Sequence, residues 1–335
     1  MNKILIVYTG GTIGMMETEN GLAPSSGLRT RIHQAVGDNL AELPLFDLIE
    51  LTPLIDSSNI TPSNWCRIYD TIQNKWHEYD GFVVLHGTDT LSYTASMLSY
   101  MFSKCDKNII ITGSQIPLGM KRSDGLANLE AAMSIAETPS LGQVTVLFHH
   151  ELMEGSRTTK FSSSQFGAFK SFNSVPLAQL SISQALPKCD QATLISPKKR
   201  DIEFIENAVG ILTLHPSLPT YAYQGFLNNN SCKAIVLLSY GAGNIADATP
   251  SLIEFLEGMQ ELGKAVINVT QCQHGGTSSG TYAVGSLLTK LGVLDGKDMT
   301  MEAAFSKLHW LLANGNTYMD IQTNWDTVIS NETFV

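Results

Sequence analysis

Short apolar, β-branched runs alternate along the chain with longer segments in which apolar residues recur every three or four positions. Lys3 to Thr9, Gly81 to His86, Asn108 to Gly113 and Gln143 to Phe148 read as buried strands. Runs that are apolar on both faces suit a parallel sheet covered by helices on either side. Between the first two runs, Pro62 to Tyr79 places Trp65, Ile68, Tyr69, Ile72 and Trp76 on one helical face, with Thr61 and Pro62 as cap and first turn. That stripe is core packing. The alternation returns more compactly with strands at Ala208 to Leu214, Lys233 to Ser239 and Lys264 to Thr270, each followed by a helix. The clearest of these helices begins at Thr249-Pro250, carries Leu252, Ile253, Leu256 and Met259 on one side, and stops at Gly263. From Lys188 to Arg200 the period fades into Pro, Ser, Lys and Asp. The pattern predicts an α/β chain: a larger N-terminal domain over residues 1–187, a linker over 188–205 and a smaller C-terminal domain over 206–335, each with a mostly parallel sheet flanked by helices.

Composition agrees with two ordinary cores, since 43% of the 335 residues are hydrophobic and 16% charged. The net charge of -10 leaves no electrostatic footprint for nucleic acid or an anionic membrane. The short Lys198-Lys199-Arg200 cluster reads as solvated linker. Met1-Asn2-Lys3 runs straight into the first apolar strand, so no secretory leader is expected, and no apolar run approaches the roughly 20 residues that cross a bilayer. The cysteines Cys66, Cys105, Cys189, Cys232 and Cys272 are scattered, with no Cys-x-x-Cys pair, which favours a reduced cytoplasm. His149 and His150 are adjacent, and no histidine or cysteine cluster has metal-ligand spacing. His86 and His274 therefore read as structural or supporting groups.

In open parallel sheets, ligands bind beyond the carboxyl ends of the strands. Three strand ends here combine glycine with hydroxyl residues: Thr9-Gly10-Gly11-Thr12-Ile13-Gly14, His86-Gly87-Thr88-Asp89-Thr90 and Thr112-Gly113-Ser114-Gln115. The adjacent Gly10 and Gly11 break the Gly-x-Gly-x-x-Gly spacing of a dinucleotide loop, and no Gly-Lys-Ser/Thr follows for a phosphate loop. A packing turn explains any one of these ends; three together point to a site whose first turn exposes the hydroxyls of Thr9 and Thr12. A threonine hydroxyl is a poor nucleophile until another group helps remove its proton. Thr88, Asp89 and a lysine would supply that help. The candidate lysine is Lys160 in the polar Gly155 to Phe161 stretch, where an exposed surface lysine is the competing reading.

The motifs Tyr8 to Gly14, Asp56-Ser57-Ser58, His86 to Thr90, Thr112 to Pro117 and Arg157-Thr158-Thr159-Lys160, in this order, resemble those of bacterial cytoplasmic (type I) L-asparaginases of the asparaginase/glutaminase-like family. The likeness runs from about Lys3 to about Leu312, and in the second half includes Ser239 to Asn244 and Thr270-Gln271-Cys272. It implies hydrolysis of the side-chain amide of L-asparagine by double displacement. Thr12 would be the nucleophile and Thr88, Asp89 and Lys160 the proton-handling group, in a cofactor-free homodimer or homotetramer. Backbone N–H groups of the glycine turn and near Thr88 are the oxyanion candidates. Substrate contacts would come from Asp56 and Asp89 for the α-ammonium, Ser57 and Ser58 for the α-carboxylate, and Thr88 and Ser114. A turn leading into the Thr61-Pro62 helix start is the bland reading of Asp56-Ser57-Ser58.

Two departures stand out. Many relatives carry a tyrosine on the loop after the nucleophile turn, where this chain has Leu22; Tyr282, in a segment that some relatives present across a subunit interface, is the candidate substitute. Some cytoplasmic relatives have an activating second site matching Leu238, Ser239, Tyr240, Thr270, Gln271 and Cys272, but with arginine at the first position. Leucine cannot pair bidentately with a carboxylate, so Cys272 is expected to be a buried structural thiol. A related glutaminase or other amidase, and a catalytically silent amino-acid sensor, are the alternative functions.

Overall fold

The computed structural model describes residues 3–19, 21–182, 185–247, 249–278 and 283–334. The chain divides between Asp201 and Ile202 into two units. Unit 1 begins with β1 (Lys3–Tyr8), the hairpin of β2 (Met15–Thr18) and β3 (Gly21–Pro24), α1 (Leu28–Val36), β4 (Leu45–Glu50) and α2 (Pro62–Asn74). It continues through β5 (Gly81–Leu85), α3 (Leu91–Met101), β6 (Asn108–Thr112), α4 (Gly125–Ala136), β7 (Val144–Phe148), β8 (Glu151–Glu154), β9 (Thr159–Lys160), β10 (Phe169–Lys170) and β11 (Ala178–Gln179).

Seven strands form one sheet in the order β11-β8-β7-β6-β5-β1-β4. The five from β7 to β4 are parallel, β8 is antiparallel to β7, and β11 is antiparallel to β8. Every residue of β5, β6 and β7 is buried, as expected of strands that read as continuous apolar runs. On one face Ile4, Ile6 and Tyr8 pack with Leu28 and Ile32 of α1 and Leu129 and Met133 of α4. Elsewhere in the unit Trp76 stacks on Phe82 and Phe102, at 5.1 and 5.5 Å between ring centroids.

The helix expected to reach Tyr79 stops at Asn74. Past that end, Lys107 Nζ donates to the carbonyls of Trp76 and Tyr79 and so satisfies two backbone oxygens that have no helical partner. Its start is as expected: Pro62 is the first helical residue, and the Thr61 N–H donates to Asn64 Oδ1 at 2.9 Å. The segment 196–198 lies against this helix, where Trp76 Nε1 donates to Ser196 Oγ and Gln73 Nε2 to the Pro197 carbonyl.

Unit 2 contains β12 (Val209–Thr213), α5 (Tyr221–Asn228), β13 (Ala234–Ser239), α6 (Pro250–Glu261), β14 (Ala265–Thr270), α7 (Ala283–Lys290), β15 (Val293–Asp295), α8 (Met301–Ala313) and α9 (Tyr318–Asn324). Its four strands are parallel in chain order. Leu252, Phe255, Leu256 and Met259 form the buried face of α6, and Gly263 follows it in the left-handed conformation (φ 64°). Lys264 Nζ donates to the carbonyls of Phe226, Leu227 and Asn229 at the end of α5, where a cation meets the negative end of the helix dipole. No described helix is long and apolar enough to cross a membrane.

Candidate active site

β1 and β5 are neighbours in parallel register, and so are β5 and β6, so the turns that follow them leave the same edge of the unit 1 sheet. The Gly11 backbone (φ 85°, ψ 177°) is one that essentially only glycine adopts, and a Cβ there would lie 2.3 Å from Gly87 Cα. A Cβ on Gly87 would lie 2.4 Å from Ser57 Oγ, and one on Gly113 2.4 Å from the His86 carbonyl. The three glycine- and hydroxyl-bearing strand ends thus approach one another through their backbones, and the Ser57 side chain packs against the middle one. Thr12 opens a short 3-10 turn, Thr12–Gly14, and is half-buried. Thr9 does not share its exposure. The strand geometry continues one residue past β1, so Thr9 is buried and its hydroxyl donates to the Leu85 carbonyl at 3.0 Å.

Lys160, on the two-residue strand β9 opposite Phe169, reaches this edge. Its Nζ donates to Thr88 Oγ1 at 2.9 Å and to Asp89 Oδ1 at 2.8 Å. Thr88 is buried, the Lys160 side chain 21% exposed and the Asp89 side chain 62% exposed. A pair this open to solvent contributes little to stability. A cation held on a hydroxyl and a carboxylate can organise proton transfer at that hydroxyl.

Asp56 and Ser58 are exposed and Ser57 is buried. Asp56 Oδ1 accepts from the Ser58 N–H, so the turn that could bind an amino acid also stabilises itself, and the Thr90 hydroxyl donates to the Ser57 carbonyl at 2.7 Å. Ser114 is fully buried, and its hydroxyl donates to the Ile116 carbonyl. Asp124 accepts from the N–H groups of Gln115 and Ile116 and so pins the same loop. Leu22 is exposed on β3, opposite Glu17 of β2. Tyr282 lies outside the described residues.

Two further groups support these turns: Arg31, which had no sequence signal beyond its type, and His86, read from the sequence as a structural or supporting group. Arg31 of α1 donates to the carbonyls of Gly14, Ser25 and Ser26, tying the Thr12 turn to the base of the β2–β3 hairpin. His86 is buried, with its Nδ1 2.7 Å from the Gly87 carbonyl and its Nε2 2.9 Å from Thr94 Oγ1. Burial pushes the imidazole pKa down to about 4, against the smaller opposing effect of the Gly87 carbonyl, so the ring is neutral at pH 7.

In unit 2, Leu238 and Ser239 end β13 and Thr270 ends β14. Gln271 Nε2 donates to the carbonyls of Leu214 and Leu238, and the Thr270 hydroxyl to the Gly241 carbonyl. Tyr240 lines a cavity of about 270 Å³ with Leu214, His215, Tyr223 and Thr249. Cys272 is exposed, contrary to the buried thiol expected of it. It lies beyond the last residue of β14, in a turn held by its own N–H on Thr270 Oγ1, and has left the sheet's apolar interior.

Residues 3–189 match the asparaginase N-terminal family model and residues 208–324 the glutaminase/asparaginase C-terminal domain model. The chain is 39% identical over 318 residues to L-asparaginase 1 of Escherichia coli, covering 93% of this chain and 92% of that protein. The crystal structure of L-asparaginase I from Vibrio cholerae superposes with a TM-score of 0.85 at 36% identity, over 100% of this chain and 99% of that one. The thermostable L-asparaginase from Thermococcus kodakarensis superposes with a TM-score of 0.87 at 30% identity, over 99% of each chain. With both halves matched and an L-asparaginase aligned across nearly its whole length, the chain belongs to the asparaginase family.

Proposed function

We propose that this protein is an L-asparaginase that hydrolyses the side-chain amide of L-asparagine to L-aspartate and ammonia, with Thr12 as nucleophile. The observation that carries the reading is Lys160 hydrogen-bonded to both Thr88 and Asp89, on a turn whose Gly87 touches the Gly11-Thr12 turn. Thr12 Oγ1 attacks the amide carbon, and its proton goes to the leaving nitrogen through the Thr88, Lys160 and Asp89 group. Ammonia departs and leaves an acyl-ester. Water, deprotonated by the same group, attacks that ester, frees aspartate and restores Thr12. The N–H groups of the glycine turn and of Thr88 are the proposed oxyanion donors, each worth about 3 kcal/mol in other acyl-transfer enzymes. Asp56 and Asp89 bind the α-ammonium, Ser57 and Ser58 the α-carboxylate, and Tyr282 assists Thr12 in place of Leu22. The same reading makes the protein a cytoplasmic homodimer or homotetramer.

Ammonia release from L-asparagine and L-glutamine, measured over a wide concentration range for the native chain and for Thr12→Ala, tests the reading. Native activity on asparagine that is abolished in the variant is expected. No native release, or an unchanged variant, overturns it. A hyperbolic concentration curve is also expected, because Leu238 lacks the guanidinium fork that would hold an effector carboxylate; a sigmoidal curve would restore the second site.

A further inference from the structure

We propose that His86 is a positioning residue that sets the direction of the Thr88 N–H by holding the Gly87 carbonyl. The inference rests on the asparaginase reading of the site and adds a role that the two-step mechanism does not require. A carbonyl oxygen only accepts, so the 2.7 Å contact between His86 Nδ1 and the Gly87 carbonyl needs its proton on Nδ1. The unprotonated Nε2 then accepts from the Thr94 hydroxyl at 2.9 Å, and Thr94 Oγ1 accepts from Trp65 Nε1 at 3.1 Å. Trp65, Thr94 and His86 are all buried, so the chain Trp65 to Thr94 to His86 to Gly87 runs from α2 through α3 to the end of β5 without solvent. In a low-dielectric interior such a chain has one tautomer and one direction.

The consequence lies in the peptide bond. The Gly87 carbonyl and the Thr88 N–H belong to one planar trans unit and point in opposite directions. Gripping the carbonyl from the core side therefore turns the Thr88 N–H away from the core. The preceding His86-Gly87 peptide and the Gly87 Cα lie against Gly11, and the Gly87 Cα faces Ser57. Rotation of the Gly87-Thr88 unit would move the proposed oxyanion donor beside the Gly11-Thr12 turn. His86 touches neither substrate nor the reacting atoms; it acts through Gly87.

Three variants separate the carbonyl contact from general packing. His86→Asn keeps an N–H near the Nδ1 position, His86→Gln keeps one near Nε2 only, and His86→Leu keeps neither. Ammonia release from L-asparagine, melting temperature and histidine 15N NMR are measured for each and for the native protein. The expected result is kcat within about tenfold of native for His86→Asn and about 100-fold lower for His86→Gln and His86→Leu, the effect of a sub-ångström to 1 Å displacement of a reacting group. KM should stay within about threefold, and kcat should not follow the melting temperature across the series. The native spectrum should show one imidazole, lost in every variant, protonated on Nδ1 alone at pH 7. Equal impairment of the three variants, kcat losses that track melting temperature, or a His86 protonated on Nε2 overturns the inference while leaving the asparaginase reading intact. No ammonia release by the native protein overturns both.

Discussion

The ammonium of Lys160 stands 2.9 Å from the hydroxyl of Thr88, a residue 72 positions earlier in the chain. The pair is completed by the Asp89 carboxylate, so the lysine is held by two consecutive residues of one turn. Lys160→Met keeps most of the volume and removes the cation. It is expected to lower kcat for asparagine hydrolysis by about 100- to 10,000-fold, the usual worth of a proton-handling group. Lys160→Arg is expected to rescue little, because a guanidinium fork presents different geometry and does not deprotonate in proteins. Native-like turnover in either variant would remove Lys160 from the mechanism.

The contact between Gly11 and Gly87 leads to a sharper expectation. Gly11→Ala adds a Cβ 2.3 Å from Gly87 Cα in a backbone region that costs about 1–3 kcal/mol for any other residue. The clash can be relieved only by separating the Thr12 and Thr88 turns. Both melting temperature and ammonia release should fall. Gly21→Ala is the control, since Gly21 also has positive φ (100°) but meets nothing within 4 Å; it should cost stability without a comparable loss of turnover. Equal effects of the two would mean that backbone strain, and not the contact, matters at Gly11.

How far such features could be read from the chain depends on which force set them. The parallel strands were legible because burial on both faces leaves runs such as Ile109, Ile110 and Ile111. The glycine turns were legible because close backbone approach admits no other residue. β4 went unread: it is the sheet's edge, no residue of Leu45–Glu50 is fully buried, and its composition is correspondingly mixed. The direction of a hydroxyl was not legible either. Thr9 and Thr12 are equivalent in sequence, yet one is consumed by the Leu85 carbonyl and the other is half-exposed. Ser114 likewise spends its hydroxyl on a carbonyl two residues away. Arg31 left no trace, because its role is to hold three carbonyls and carbonyls are present everywhere.

Two buried histidines make acid sensitivity predictable. His86 in unit 1 and His309 in unit 2 both have pKa values lowered from 6.5 to about 4, chiefly by burial. Above pH 6.5 neither state binds the proton and there is no effect. Between 6.5 and 4 the unfolded chain takes up protons that the folded chain refuses, so stability falls as pH falls, by up to about 3 kcal/mol for each histidine. Urea midpoints at pH 7, 6 and 5 should decline accordingly. His309→Phe, which keeps an aromatic ring against Phe305, should flatten the part of the decline that belongs to unit 2. Midpoints that do not change between pH 7 and pH 5 would contradict the burial argument for both residues.

The carboxyl end of unit 2 depends on a buried ion pair. Lys307 Nζ lies 2.7 Å from Glu332 Oε1, with side-chain exposures of 1% and 0%. The lysine also donates to the carbonyls of Trp325 and Thr327 and lies over the Trp325 ring. Burial lowers its pKa, and the Glu332 charge opposes that shift. Glu332 accepts from the N–H groups of Ile329 and Ser330, so the pair ties residues 325–332 to α8. Removing one partner leaves an uncompensated charge in the interior, and Lys307→Met should cost about 3–5 kcal/mol. Adding Glu332→Gln to it should recover part of the loss, because no charge then remains buried. A double-mutant cycle on denaturation midpoints measures this directly. A Lys307→Met penalty below about 1 kcal/mol, or a double variant no better than the single, would show that the ion pair does not hold this segment in place.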